Sequence, residues 1–412
     1  MKIIRDIVHG FVELDDREAA VINHESFQRL RRIRQLSLTE MVYPGAVHTR
    51  FEHSIGVLQM ASDMFDYIMQ NDGGFLRDFF SVNDGDIKHA RKVLRLAALL
   101  HDIGHPPFSH SGEDLMPYEP DALGEFAMTK PTRYEHEAYS IAIIKAKFKT
   151  ILYPITTDEV VALLGDGVAV NKIKNDFLLL WKDLISSQLD ADRGDYLLRD
   201  SHHLGITYGL YDRYRLVHSL TVNKQSEDNI VKLAIKQNDW PVAESLVLAR
   251  YRMFMLVYFH KVRRIYDYHI QEAARYVLQN KYKRETYPPP DELDAYLSLD
   301  DYAILYAIGT GEAGPHGARI RTRKHFRCRD EWQSKPTHKD KAYIEGLKNK
   351  YAGKDFYIDN QAWKYWYKDD EIMITGKKGG DYPLSEFSGV VKALMKNEMN
   401  KNKVVKRFYT EG

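Results

Sequence analysis

Four residues of the chain offer the ligand chemistry of a first-row divalent metal: His53, the adjacent pair His101 and Asp102, and Asp192. Imidazole nitrogen and carboxylate oxygen bind such ions. Two histidines with two carboxylates leave coordination positions open, which suits a catalytic metal better than a structural one. Mn, Fe or Mg is the expected ion, and Ni or Zn is also acceptable to this donor set. Spacing alone is weak evidence, because histidines and aspartates spread over about 140 residues recur by chance.

The elements that must carry these residues strengthen the reading. His53 is followed by Val57, Met60 and Met64 at helical spacing. His101 ends an apolar run from Ile87 to Leu100, with Ala90, Leu94 and Ala97 on one stripe. Leu189, Asp192, Tyr196 and Asp200 recur every three or four residues. Apolar recurrence at that period is the main helix signal, and it turns each candidate ligand toward the apolar side of its helix. One such residue is usually a satisfied core polar group. Three helices that aim ligands at one core favour a metal centre.

The words around the quartet resemble a known family. Phe51-Glu52-His53-Ser54-Ile55-Gly56-Val57, His101-Asp102-Ile103-Gly104-His105-Pro106-Pro107-Phe108-Ser109-His110, and the run from Asp192-Arg193-Gly194-Asp195-Tyr196 to Arg199-Asp200-Ser201-His202-His203-Leu204-Gly205 are similar to motifs of the HD-domain phosphohydrolases. They are most similar to the branch that hydrolyses deoxynucleoside triphosphates. The likeness runs from about residue 1 to about 275, and the chain is expected to open directly on the catalytic region, with no SAM domain ahead of it.

The resemblance implies further roles. Proton transfer falls to His110 with Glu113, with His105 and His136 lining the same pocket. Pro106 and Pro107 bend the chain there, and a helix restarting at Ser109 or Ser111 would bring Glu113 one turn past His110, where a carboxylate raises a histidine's basicity. The alternative is that His105 and His110 only cap turns. Arg50, three residues before His53, should stand beside the metal. The resemblance places Arg50 and Arg193 on the phosphates and Tyr196 and Asp200 at the sugar, where a tyrosine under C2′ would reject a ribose hydroxyl. Gln35 and Leu36 match sugar and base contacts, while Tyr258, His260 and Lys261 match a patch bordering the nucleotide. For Arg199 and Lys261 an ordinary ion pair or solvated charge is an equal alternative.

Two departures bear on regulation. The turn motif of relatives with a guanine-nucleotide site is here Asp6-Ile7-Val8-His9-Gly10, and Asn23 stands where they carry an acidic residue. Losing that carboxylate removes the acceptor that reads a guanine edge. Arg323, Lys324, Arg327 and Arg329 resemble a basic cluster that supports an allosteric nucleotide, so a different nucleotide activator is one reading and a solvated basic strand face the other.

Composition sets the remaining bounds. At 412 residues and net charge +1 the chain has no global basic field for nucleic acid or membrane. Any polyanion must meet a local cluster, so nucleic acid stays among the candidate partners. The single Cys328 leaves no internal disulfide framework and points to a reducing cytoplasm. No apolar run approaches the roughly 20 residues of a membrane span, and the first six residues do not read as a signal peptide.

The expected fold is mainly α: a helical HD-domain core over residues 1–280, with a short hairpin at 2–14, and a smaller α/β lobe over 281–412 serving oligomerisation or regulation. Turns are expected at Asn71-Asp72-Gly73-Gly74 and Asn83-Asp84-Gly85-Asp86, with Asp86 as a helix cap. Pro288-Pro289-Pro290 should break the chain after a long helix holding His260. Beyond it the pattern predicts a helix over 291–307, a glycine-rich loop over 309–317, and strands within 319–331 and 354–374. The expected activity is hydrolysis of deoxynucleoside triphosphates to deoxynucleoside and inorganic triphosphate, in a homo-oligomer such as a dimer or tetramer. The rivals are another HD-type phosphohydrolase (a nucleotidase, a cyclic-dinucleotide phosphodiesterase or a single-strand 3′-exonuclease) and a nucleotide sensor without turnover.

Overall fold

Alternation around Gly10 shapes the N-terminus. Lys2–Asp6 and Gly10–Leu14 pair antiparallel, with Asp6 opposite Gly10. Val12 and Leu14 are buried against the helices while Ile3 and Phe11 face outward. The computed structural model describes residues 2–119, 132–223, 230–334, 338–361, 371–376, 380–399 and 404–411. Its architecture is mainly helical with three small sheets.

The first ligand helix spans Arg50–Phe80 and begins with a capping box between Thr49 and Glu52. The expected turn at 71–74 does not form, and the helix runs straight through it. Gly73 and Gly74 each cost about 1 kcal/mol in a helix. The flanking Ile68 and Leu76 are fully buried, each worth roughly 1.5–3 kcal/mol, and Asp72 accepts a bond from Thr221 Oγ1 at 2.8 Å. Packing therefore outweighs the local breakers.

The second ligand helix, Asp84–Leu100, does begin where the other turn was expected. Asn83 is its cap, with Asp86 closing the capping box from the third position rather than capping directly. Ala90, Val93, Leu94 and Ala97 are buried, which delivers His101 at the C-terminal end. The third helix, Ala191–Leu204, is capped by Asp190 and stopped by Gly205 at φ +68°. These three helices pack into one core.

A second core gathers around the helix Lys261–Val277, which starts just after His260, its capping residue. Leu293–Leu297, Asp301–Thr310 and Gly314–Arg321 are the helices packed there. The glycine-rich stretch is thus mostly helical: Gly311 at φ +87° ends one helix and Pro315 starts the next. Tyr287, Tyr296 and Ile304 from this region meet Phe108, Leu115 and Tyr139. Packing is therefore continuous across residue 281, with Tyr287 N donating to Leu115 O at 2.9 Å.

Leu220–Val222, Leu233–Lys236, Met373–Thr375 and Asp381–Pro383 form a four-stranded sheet in that order. In the three-stranded sheet, Val404–Thr410 lies between Arg327–Ser334 and Phe356–Gln361. Of the strand expected within 319–331, residues up to Arg321 are helical instead. The strand expected within 354–374 appears as its two ends, Phe356–Gln361 and Met373–Thr375, and residues 362–370 lie outside the described set. Among the described residues, no helix is long and apolar enough to cross a membrane.

Candidate active site

The three ligand helices bring the quartet together. The ligand atoms of His53, His101 and Asp102 lie within 4.8 Å of one another. Asp192 Oδ1 stands 3.0 Å from His53 Nε2 and 3.9 Å from His101 Nε2. Each histidine has its other nitrogen committed: His53 Nδ1 to Asp195 Oδ2 at 2.7 Å and His101 Nδ1 to Ala98 O at 2.8 Å. Both Nε2 atoms are buried and make no aligned hydrogen bond, although carboxylate oxygens of Asp192 and Asp102 lie 3.0 and 3.3 Å from them. That is the arrangement of metal-ligating histidines, whose second nitrogen is held by a carboxylate or carbonyl. The donor set therefore fits a divalent ion.

The electrostatics agree. Burial would lower His53, but Asp192 and Asp195 raise it to about 10. Burial would raise Asp192, but His53 and His101 bring it down to about 2. Asp102 is buried and held well below the usual carboxylate range by Arg50, His101 and His105. The pocket is thus organised around negative charge that calls for a cation.

A second cluster touches the first through Asp102. His105, His110, Glu113 and His136 have side-chain atoms within 4.8 Å of one another. Glu113 Oε1 accepts from His136 Nδ1 at 2.8 Å and lies 3.1 Å from His110 Nδ1. His105 stacks on His136 with centroids 3.7 Å apart, and its Nε2 is 3.2 Å from Asp102 Oδ1. As expected from the prolines, a short 3-10 helix restarts at Ser109 and runs to Leu115. Burial would lower His136, but Glu113 and Glu137 raise it to about 9. Burial also drives His105 well below its ordinary value, aided by Arg50. One histidine is thus poised as an acid and its stacked neighbour is neutral.

Two consecutive residues of this arm, Phe108 (φ +62°) and Ser109 (φ +55°), are left-handed, which is strained for non-glycine residues. Asp301 holds the strained turn, accepting from Phe108 N at 2.7 Å and from Arg34 N at 2.9 Å. Asp301→Ala would leave the buried Phe108 N–H and the half-buried Arg34 N–H unpaired, the buried one costing about 1–3 kcal/mol and the other less. We expect a stability loss of about 3 kcal/mol by denaturant unfolding. Unchanged stability would show that the turn is held otherwise.

The expected substrate residues do not all gather in one place. Arg50 is buried beside the quartet, donating to Asp102 and to Ser109 Oγ. Asp200 and Tyr258 meet, with Tyr258 Oη donating to Asp200 Oδ2 at 2.6 Å, and Tyr196 lies edge-on to Tyr258 with centroids 6.3 Å apart. Gln35 and Leu36 are buried, and Gln35 Oε1 has no hydrogen-bond partner. Arg193 is turned onto Asp190 and the carbonyl of Ser187. Lys261 instead borders a separate cavity of about 220 Å³ with Val262, His325, Arg327 and Cys328. Arg323 donates to Met41 O at 3.3 Å. Lys324 is exposed.

Comparison with known proteins gives this geometry its relatives. The HD domain pattern matches residues 50–165, and the HD associated region matches 211–343. The chain belongs to the HD-domain family. The HD match contains both histidine clusters, while Asp192 lies between the two matched segments. An uncharacterized protein of Methanocaldococcus jannaschii is 36% identical over 313 residues, covering 76% of this chain and 56% of that protein. A deoxynucleoside triphosphate triphosphohydrolase SAMHD1 homolog of Dictyostelium discoideum is 27% identical, covering 91% of this chain and 70% of that protein. The crystal structure of a hypothetical protein from Aquifex aeolicus superposes with a TM-score of 0.74 at 27% identity, covering 100% of this chain and 96% of that one. The chain spans about half the length of the first curated relatives it matches, at 56%, 53% and 51%.

Three residues of this HD-domain protein escaped the sequence reading. Asp195 lies in the third motif and repeats the helical spacing, but nothing local says that it backs His53. His48 sends Nε2 to Asp200 Oδ1 at 2.8 Å and stacks on His203 at 4.4 Å. Its place two residues before Arg50 was the available signal. Asp301 had none, since 193 residues separate it from Phe108. Arg199 is a buried ion-pair partner of Asp195 and Asp6.

Proposed function

We propose that this HD-domain protein is a metal-dependent deoxynucleoside triphosphate triphosphohydrolase. Carrying the reading is the pair of buried Nε2 atoms of His53 and His101 beside a histidine–glutamate cluster that shares Asp102. A divalent ion held by His53, His101, Asp102 and Asp192 would supply Lewis acidity and an acidified water. The choice of substrate is supported by the third motif and by the likeness to the Dictyostelium protein.

The remaining roles belong to the chain. The water oxygen bonds to the α-phosphorus, the bond from that phosphorus to O5′ of the deoxynucleoside breaks, and triphosphate leaves as the second product. Glu113 keeps His136 protonated and orients His110, so this group can return a proton to the departing O5′. Arg50 neutralises phosphate charge, and Arg193 joins it by exchanging its present contacts. Asp200, held by Tyr258 and His48, accepts a sugar hydroxyl, while Tyr196 closes the space at C2′ and Gln35 and Leu36 border the sugar and base. Assembly as a homo-oligomer, and response to a nucleotide activator near Arg323, Lys324 and Arg327, belong to the same reading.

The direct test is inorganic triphosphate release from each of the four deoxynucleoside triphosphates with manganese, singly and mixed, at fixed ionic strength. Release supports the proposal and reports the base preference. No release from any mixture overturns it and turns attention to oligonucleotide and cyclic-dinucleotide substrates. Asp192→Ala and His101→Ala are each expected to lose bound metal and to cut turnover by at least 10³-fold, about 4 kcal/mol of transition-state stabilisation. Full activity in both would remove the quartet from the mechanism.

A further inference from the structure

The back of the metal centre is built from the N-terminal hairpin. His9 sits in its turn, with a side chain wholly shielded from solvent. Its Nδ1 lies 2.8 Å from Arg213 Nη1. A guanidinium has only donors, so Nδ1 accepts and the ring proton must sit on Nε2. That Nε2–H donates to Asp195 Oδ1 at 2.8 Å. The other oxygen of Asp195 accepts from His53 Nδ1 at 2.7 Å. A continuous series thus runs from Arg213 through His9 and Asp195 to His53, and each bond fixes the next proton. Its end point is His53 Nε2, which faces the other residues of the quartet.

The turn itself is locked in place. Asp6 Oδ1 accepts from the backbone N–H groups of Val8 and His9, both at 2.8 Å. Asp6 Oδ2 pairs with Arg199 at 2.9 Å, and Arg199 grips both oxygens of Asp195 at 2.8 Å. Arg213 is anchored in turn by Asp63 at 3.0 Å. The hairpin therefore touches Asp195 by two routes, a charge pair through Asp6 and Arg199 and a directed hydrogen bond from His9. Only the second sets a proton position along the series.

We propose that His9 is a positioning residue of the metal centre, acting through Asp195 to hold His53 in the tautomer and orientation that bind the ion. Outer partners of ligating histidines commonly change metal affinity by about 10–100-fold. The inference rests on the metal reading of the quartet and is independent of the substrate.

The test is manganese affinity of the full chain, measured by chelator competition, with thermal melting alongside. His9→Ala should weaken manganese binding by about 10–100-fold. His9→Gln should recover most of it, because its amide N–H can reach Asp195 while its oxygen accepts from Arg213. Arg213→Ala frees His9 to move its proton to Nδ1, and should weaken the metal in the same sense. This variant also carries the test if His9→Ala does not fold. Parent-like affinity in His9→Ala, or in Arg213→Ala where that variant carries the test, overturns the proposal. So does a His9→Gln variant no better than His9→Ala, since a space-filling role would not distinguish a hydrogen-bonding side chain. A parent protein that binds no manganese would instead overturn the quartet reading.

Discussion

Gly56→Ala is expected to weaken metal binding and to destabilise the fold strongly, although it adds only one methyl group. A Cβ at Gly56 would stand 2.0 Å from Asp195 Oδ1 and 2.3 Å from Arg199 Nη2. Neither atom is the free end of a flexible side chain. Asp195 is held by His9, His53 and Arg199, and Arg199 by Asp6 as well. The helix cannot back away, because Ile55, Val57, Leu58 and Met60 around Gly56 are buried. The methyl group must therefore part the buried pair, and breaking such a pair costs about 3–5 kcal/mol. That is a large share of the roughly 5–15 kcal/mol that holds a domain folded. Melting should fall on the order of 10 °C, with metal content below that of the parent. A variant that melts and binds manganese like the parent would show that the helix has room to shift.

Glu113→Gln should have the larger effect on chemistry with a smaller one on folding. Glu113 is the common partner of His136 and His110, and these histidines hold its carboxyl well below the usual range against the opposing effect of burial. In exchange His136 is raised from 6.5 to about 9. A raised histidine stabilises the fold fully below pH 6.5, and that contribution is lost as pH rises through about 9. The same titration sets the alkaline limb of activity if His136 supplies the proton. With Gln at 113 the kcat should fall by about 10²–10⁴-fold, and the alkaline limb should move from near 9 toward 6.5. Metal content should stay at the parent level. Loss of rate with the limb unmoved would show that another group supplies the proton.

How much of this was legible in the sequence depends on the distance over which each feature is decided. His53, His101 and Asp192 each sit on a helix whose apolar period is local, so the direction they face could be read. The hairpin was legible for the same reason. The continuation of the first helix through Asn71 to Gly74 was not, because the favourable term is the burial of Ile68 and Leu76 against distant residues. Glycine near 311 read as loop, yet a three-residue connection with left-handed glycines at 311 and 314 suffices to separate two helices. Asp195 could be seen as a motif residue, but its tie to His53 depends on how two helices 142 residues apart are set together. The sheet around Val404–Thr410 is wholly nonlocal and left only faint alternation.

The arm between Gly104 and Leu115 is held from far along the chain. Tyr296 Oη donates to Gly104 O at 2.6 Å, Phe108 N to Asp301, and Tyr287 N to Leu115 O. Arg29 adds a bond to His105 O at 2.9 Å. None of these contacts involves a metal ligand. The arm therefore meets the quartet through Asp102 and Arg50, while the rest of its path is set by residues 287–301 and Arg29. Substitutions over 287–301 are thus expected to shift His105, His110 and Glu113 more than the helices that carry His53 and Asp192, so the geometry of one histidine cluster is open to change from a part of the chain that contains none of its residues.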